Sequence, residues 1–345
     1  MVALNIVKIS SARLKDLGPN MVEQLEVGGT SEFVRNTITL RDYLIGRNGG
    51  AAHRIIPEFV TLNKEAKVEF VKANATELAE VDRVCDTLIK EKSITLIIQS
   101  QGNLTLKGRD ESPERLDRIF TLNFYSHMRI LHNPSTLLQA NAQIPPQYSR
   151  SVSILGAGHD ARINSDDLDL KTCFSPGQCA NHTIVMNDFM AEEFSKRNPG
   201  TTYNHSFPSV VNTGISREMP VLVKWSTKIF MKLAAPLLVG EEETGARQLF
   251  IATSGVYSPK QTATGDRSAG MKVPDGLKIM TGSDGTVGSG GYIVNWNNEI
   301  TGKQSLLNEY RAKDTGNIVW DHTMSGFERV QKLNRDKSAP QGSST

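Results

Sequence analysis

The sequence predicts an α/β fold: a doubly wound parallel sheet with helices on both faces. Three observations predict it. Apolar runs of strand length alternate with longer stretches of helical period along most of the chain. The run ITLIIQS, Ile94–Ser100, is continuously apolar, as in a strand buried on both faces. The stretches between such runs are long enough for right-handed crossover helices, which make successive strands parallel.

Each element follows in order. Residues 1–20 read as a helix-like amphipathic extension without a signal-peptide core. Residues 21–335 read as a single domain. Within it, Val27–Asn36, VGGTSEFVRN, begins like a phosphate-cradling loop and then lacks further glycine. Asp42–Gly46 is a short strand, AAHRIIPEFVTLN a helix, and Val68–Lys72 a second strand. Glu77–Glu91 places Leu78, Val81, Val84, Cys85 and Leu88 on one helical face. After the strand at Ile94–Ser100, Ser112 followed by Pro113 signals a helix start, and that helix should bend or end near Pro134. Arg150–Gly158 reads as a strand running into a glycine-bearing loop, Cys179–Arg197 as a long helix, and Thr201–Phe207 as the strand before Pro208. Glu241–Ser254 is a helix with acids in its first turn, which suits the helix dipole. The rhythm stops near 257–291, a Gly/Ser/Thr-rich insertion read as a long loop or hairpin. A strand, GYIVNW, and a helix, KQSLLNEYRAKD, follow, and 336–345 should be a disordered tail.

Composition narrows the function. The 345 residues carry 38% apolar and 22% charged side chains, with a net charge of +2. A nucleic-acid binder would concentrate positive charge, and here acids and bases are dispersed. No apolar run reaches the ~18–20 residues of a membrane span; Ile229–Gly240 is shorter and contains Lys232 and Pro236. Three cysteines suggest reduced thiols in the cytoplasm. Cys173, Cys179 and His182 do not follow a standard zinc spacing, so no metal is expected.

The order of these motifs resembles the short-chain dehydrogenase/reductase superfamily, and in particular its divergent fungal reductases associated with secondary metabolism. The similarity runs from about Met21 to Trp320. It implies a Rossmann-like sheet, NADP as cofactor, and an apolar small-molecule substrate whose ketone or alcohol is the reacting group. It also implies pairing through long helices into a homo-oligomer. Gly28, Gly29, Thr30 and Ser31 match the start of the family's glycine-rich loop. Arg47 stands where the family reads the 2′-phosphate of NADP, which a guanidinium can grip bidentately. Asn74 matches the residue near adenine. Gln101 and Gly102 match the end of the family's segment after the fourth strand. Asn123 matches an Asn that holds a water in the proton relay, and Pro208 and Thr213 match the loop contacting the nicotinamide carboxamide.

The departures are equally specific. The Gly-Ile-Gly part of the first loop is missing: either Glu32, Phe33 and Val34 replace it, or residues have been deleted. Glu32 would oppose a phosphate at the helix N-terminus. The preceding MVEQLEV carries Glu23, Gln24 and Glu26 where a central strand should be apolar, and only about eleven residues join it to the next strand, near the lower limit of roughly 10–12 for a crossover. Gly156-Ala157-Gly158 stands where the catalytic Ser is expected. The Tyr-x-x-x-Lys pair, the proton donor and the Lys that lowers its pKa, has no counterpart; His182 is the nearby group able to donate a proton near neutral pH. The sequence therefore supports an NADP-dependent oxidoreductase, with two alternatives open: a redox-inactive relative with a binding, accessory or non-redox role, and a wrongly assembled coding sequence.

Overall fold

Strands β1 (Arg41–Gly46) and β2 (Lys67–Lys72) pair in parallel, joined by helix α1 (Gly49–Leu62). The computed structural model that places them describes residues 41–338, apart from 63, 65–66, 144–147, 211–238, 262–266 and 269–270. The glycine loop Gly28, Gly29, Thr30 and Ser31, the strand expected at Met21–Val27, and Thr213 lie outside the described residues.

After α2 (Leu78–Leu88) comes a second parallel sheet in the order β3-β4-β5-β8, from β3 (Leu96–Gln99), β4 (Arg150–Ile154), β5 (Thr202–Ser206) and β8 (Gly291–Val294). Every pairing in it is parallel. The buried face of α2 is Leu78, Val81, Val84, Cys85 and Leu88, the five positions its period singles out.

The helix between β3 and β4 starts later than its first cap signal suggests. The Ser112 hydroxyl accepts from the backbone of Glu114 in a turn where Arg115 has a φ of 59°. The helix begins at Arg118, where Asp117 accepts from the amides of Ile119 and Phe120 at 3.0 and 2.8 Å. This helix, α3 (118–132), contains a wide π turn over Thr121–Tyr125 and ends before Pro134, as expected. Helix α4 (Ser135–Ala142) follows.

Helix α5 (Pro176–Arg197) carries Pro at its first turn and is capped by the Ser175 hydroxyl. It lies with α3 on one face of the sheet, and α6 (Glu241–Thr253) covers the other, where Ala246 and Phe250 pack with Val152, Tyr292 and Val294. The segment between α6 and β8 contains a short hairpin, β6 (Arg267–Ser268) with β7 (Met271–Lys272). Helices α7 (Gln304–Ala312) and α8 (Thr315–Ser338) complete the chain. The periodic reading does not single out α8, which runs three residues into the segment expected to be a tail. It is held to α5 by the Arg197 guanidinium, 3.9 Å above the Trp320 ring, and by Phe194 against the same ring.

Two polar features stand out among the buried side chains. Arg150, at the start of β4, is fully buried and donates to the carbonyls of Ile251, Ser254 and Tyr257, so it closes the C-terminal end of α6. The register also aligns Gln99, Ser153 and His205 in one row across β3, β4 and β5. Among the described residues, no helix is long and apolar enough to cross a membrane.

Candidate functional site

Parallel strands bring their C-terminal ends to one edge, and the loops leaving that edge form the place where open α/β sheets bind ligands. The loop after β3 is clamped by Asn123 from the π turn of α3. The amide of Asn103 donates to Asn123 Oδ1 and Asn123 Nδ2 donates to the Asn103 carbonyl, both at 3.0 Å. The Asn123 carbonyl accepts from Asn187 Nδ2 of α5 at 3.0 Å. Asn123 thus ties the loop after β3 to both helices. Gly102 lies inside this clamp: a Cβ there would stand 3.0 Å from Leu155 Cδ1 and 3.6 Å from Asn123 Oδ1. Gln101 is buried, donates to Gln99 and Ser126, and keeps its Oε1 buried without a donor among the described residues.

The loop after β4 is built around two glycines. A Cβ on Gly156 would meet Ile184 of α5 at 2.8 Å, and Gly158 has a φ of 79° with Thr301 Cγ2 at 2.4 Å from a Cβ position. The loop after β5 carries Pro208, half-buried, then Ser209 with a φ of 73°. That left-handed backbone is the one a glycine adopts most easily, so Ser209 occupies a glycine position of the loop and retains its shape.

Arg47 and Asn74 lie at the same end of β1 and β2, where the amide of Ala73 donates to the Gly46 carbonyl. Arg47 is exposed and forms no ion pair among the described residues. It precedes Asn48, whose side chain accepts from Ala51 at the N-terminus of α1. Asn74 Oδ1 accepts from the amide and hydroxyl of Thr76 and so shapes its own turn.

His182 is not at this edge in a form that can exchange protons. It is buried, its Nε2 accepts from the Asn164 amide at 3.0 Å, and its Nδ1 therefore donates to the Leu168 carbonyl at 3.3 Å. Burial also lowers its pKa. The ring holds the 164–168 loop. Cys179 beside it is buried, and that burial pushes its thiol up to about 12.

Beneath the loops lies a polar cluster that periodicity does not reveal. His127 Nε2 donates to the Gln101 carbonyl at 2.6 Å, so Nδ1 accepts from the Ser153 hydroxyl at 2.7 Å. Burial drives this imidazole down to about 4. His205 Nδ1 lies 2.6 Å from Asp188 Oδ1, with both side chains about 1% exposed. Burial lowers His205 to about 3 and raises Asp188 well above the usual carboxylate range, with Asp160 reinforcing the rise. The contact has the geometry of an ion pair, but both directions make it a neutral hydrogen bond. Asp188 Oδ2 and Asp160 Oδ1 are buried without other donors, which one shared proton satisfies. A cavity of about 10 Å³, the size of one water site, lies between Ser151, Ser153, Asn187, Tyr203 and His205. The sequence signal for this cluster is the polar content of SVSI and TYNHS, two strands that should read as Val and Ile if they packed against apolar helices.

No protein-family model matches the chain. Curated relatives do. An oxidoreductase of Emericella nidulans, AN1596, is 32% identical over 344 residues, covering 96% of this chain and 99% of the relative. The oxidoreductase andH of Emericella variicolor is 28% identical over 84% of this chain and 83% of its own length. The short-chain dehydrogenase/reductase SAT2 of Stachybotrys chartarum is 22% identical over 97% of this chain and 99% of its own. With parallel strands, crossover helices and loops at one sheet edge, the chain belongs to the fungal oxidoreductases of the short-chain dehydrogenase/reductase family.

Proposed function

We propose that the chain is an NADP-dependent oxidoreductase that interconverts a ketone and an alcohol on an apolar small molecule, in the cytoplasm, within fungal secondary metabolism. The observation that carries the cofactor choice is Arg47. It is an exposed guanidinium with no ion-pair partner among the described residues, at the end of β1 and next to the N-terminus of α1. Both features favour a phosphate there. When bound, the nicotinamide cofactor supplies or accepts the hydride.

The remaining roles rest on the resemblance to the family's motifs. Asn74 would face the adenine from the end of β2. Gln101 and Gly102 would line the ribose side, with the buried Gln101 Oε1 available as an acceptor. Pro208 and Ser209 would shape the carboxamide contact with Thr213, and Gly28, Gly29, Thr30 and Ser31 would meet the pyrophosphate. Asn123 positions the loop after β3 through its two bonds to Asn103.

A redox-inactive role is favoured by one observation. Neither titratable group at the start of α5 can donate a proton: His182 is engaged at both nitrogens and Cys179 is a buried thiol. Cofactor binding separates the readings. Arg47→Ala should weaken NADP by roughly 10- to 100-fold, the loss of one charge-assisted interaction, and leave NAD within about twofold. Equal weakening of both refutes the phosphate role.

A further inference from the structure

We propose that His159 is the catalytic acid and base of this site, taking the place of the missing phenol. This rests on the oxidoreductase reading above and goes beyond it by naming the group that carries the proton.

His159 is placed by the architecture of the loop after β4. Gly158 must remain glycine, because it adopts a left-handed backbone and the side chain of Thr301 fills the space a Cβ would need. Gly156 admits Ile184 of α5 at the other end of the turn. Between them the chain closes on the Gly156 carbonyl, which accepts from the His159 amide at 3.2 Å and from its Nδ1 at 3.3 Å. A carbonyl only accepts, so the proton of the neutral ring is on Nδ1. Nε2 is left without a partner among the described residues. The ring packs edge-on against Phe207, the first residue after β5, with centroids 4.3 Å apart. An exposed imidazole is thus fixed over the C-terminal ends of two neighbouring strands, with one nitrogen bare.

The alternatives are occupied. His127 is bonded at both nitrogens and buried, His182 likewise, and His205 lies beneath the sheet edge against Asp188. The Ser153 hydroxyl is committed to His127. The Tyr310 hydroxyl accepts from the Ile163 amide. Of the titratable groups around the imidazole, His205 is coupled to it by charge and Asp160 follows it in the chain, and both are buried.

The chemistry balances. In the reductive direction a hydride adds to the substrate carbonyl carbon and the C=O π pair moves to oxygen. That oxygen takes the proton from protonated His159 Nε2, leaving the neutral imidazole with its proton on Nδ1, and water reprotonates Nε2. In the oxidative direction bare Nε2 accepts the hydroxyl proton as hydride leaves.

The test needs no substrate. The wild-type chain, labelled at His Cε1, is titrated by NMR with saturating NADP and then with NADPH, and His159→Gln identifies the His159 resonance. The oxidised nicotinamide ring carries one more positive charge than the reduced ring. A histidine beside that ring should titrate lower with NADP than with NADPH, by roughly one pH unit at a contact distance of several ångströms. The other histidines should move much less. If both cofactors bind and His159 titrates identically in the two complexes, the proton-donor role is overturned while the cofactor reading stands. If neither cofactor binds at millimolar concentration, the cofactor reading fails and this role fails with it.

Discussion

Asp188→Asn should stabilise the chain at pH 7, because the native carboxyl is held neutral at the cost of binding a proton. The unfolded carboxyl titrates near its ordinary value of 3.8, and the folded one is raised well above it by burial and by Asp160. Each pH unit between the unfolded value and the working pH costs about 1.4 kcal/mol while the folded carboxyl stays neutral. At pH 7 the upper bound is about 4 kcal/mol, and at pH 5 it is about 2 kcal/mol. The sign follows from proton counts: the folded state holds one more proton than the unfolded state in this window, so this group's contribution falls as pH rises. Asparagine needs no proton. Its Oδ1 can accept from His205 Nδ1, as Asp188 Oδ1 does at 2.6 Å, and its Nδ2 can donate towards Asp160. Urea unfolding at pH 5 and pH 7 measures the difference, with an unchanged m value as the control for two-state behaviour. A higher midpoint is expected for Asp188→Asn, with a larger gain at pH 7. A loss of about 3 kcal/mol or more would instead mean that His205 and Asp188 are a charged pair, since removing one partner of a buried pair is that costly.

Two of the buried histidines, His127 and His205, should make the native state acid-sensitive. His127 and His205 are depressed to about 4 and about 3, so the unfolded chain binds protons first as pH falls below about 6.5, and stability should drop from there towards pH 4 in thermal melts. Asn123→Ala should cost about 2–5 kcal/mol in urea midpoints, because it strips both backbone groups of Asn103 of their buried partner; a cost under about 1 kcal/mol would refute the clamp. Gly158→Ala should cost at least about 2 kcal/mol through left-handed strain and overlap with Thr301, and adding Thr301→Ala should recover part of it, as a double-mutant cycle would show. Ser209→Gly should stabilise by up to about 1 kcal/mol by relieving a φ of 73°, read as a rise in melting temperature.

The parallel layout was legible because it rests on period and run length. The α2 face matches residue for residue, and the interruption at Pro134 reflects a rule local to proline. The start of α3 was not legible. Ser112 with Pro113 carries a true capping signal, but its hydroxyl closes a turn, and Asp117 five residues on does the capping. The candidate site residues were picked from loop motifs. Arg47, Asn74, Gln101, Gly102, Asn123 and Pro208 all fall at strand ends or on the helix beside them. His182 illustrates the limit: residue type suggested an acid, and its environment binds both nitrogens to the backbone. His127, Ser153, Asp160, Asp188 and His205 come together from α3, from β4 and the loop after it, from α5 and from β5, and single-sequence periodicity carries no such pairing information. Their trace is compositional, in two strands buried along almost their whole length with too few aliphatic residues.

The central claim is that a nicotinamide cofactor binds at this sheet edge with its 2′-phosphate on Arg47. Titration of the purified chain with NADPH and NADH, followed by nicotinamide fluorescence and by thermal shift, tests it most directly, since a ligand that binds only the folded state raises its stability. Saturable NADPH binding at least about tenfold tighter than NADH is expected, with that preference lost in Arg47→Ala. Absence of binding at millimolar NADPH, or equal affinity for the two cofactors, would contradict it.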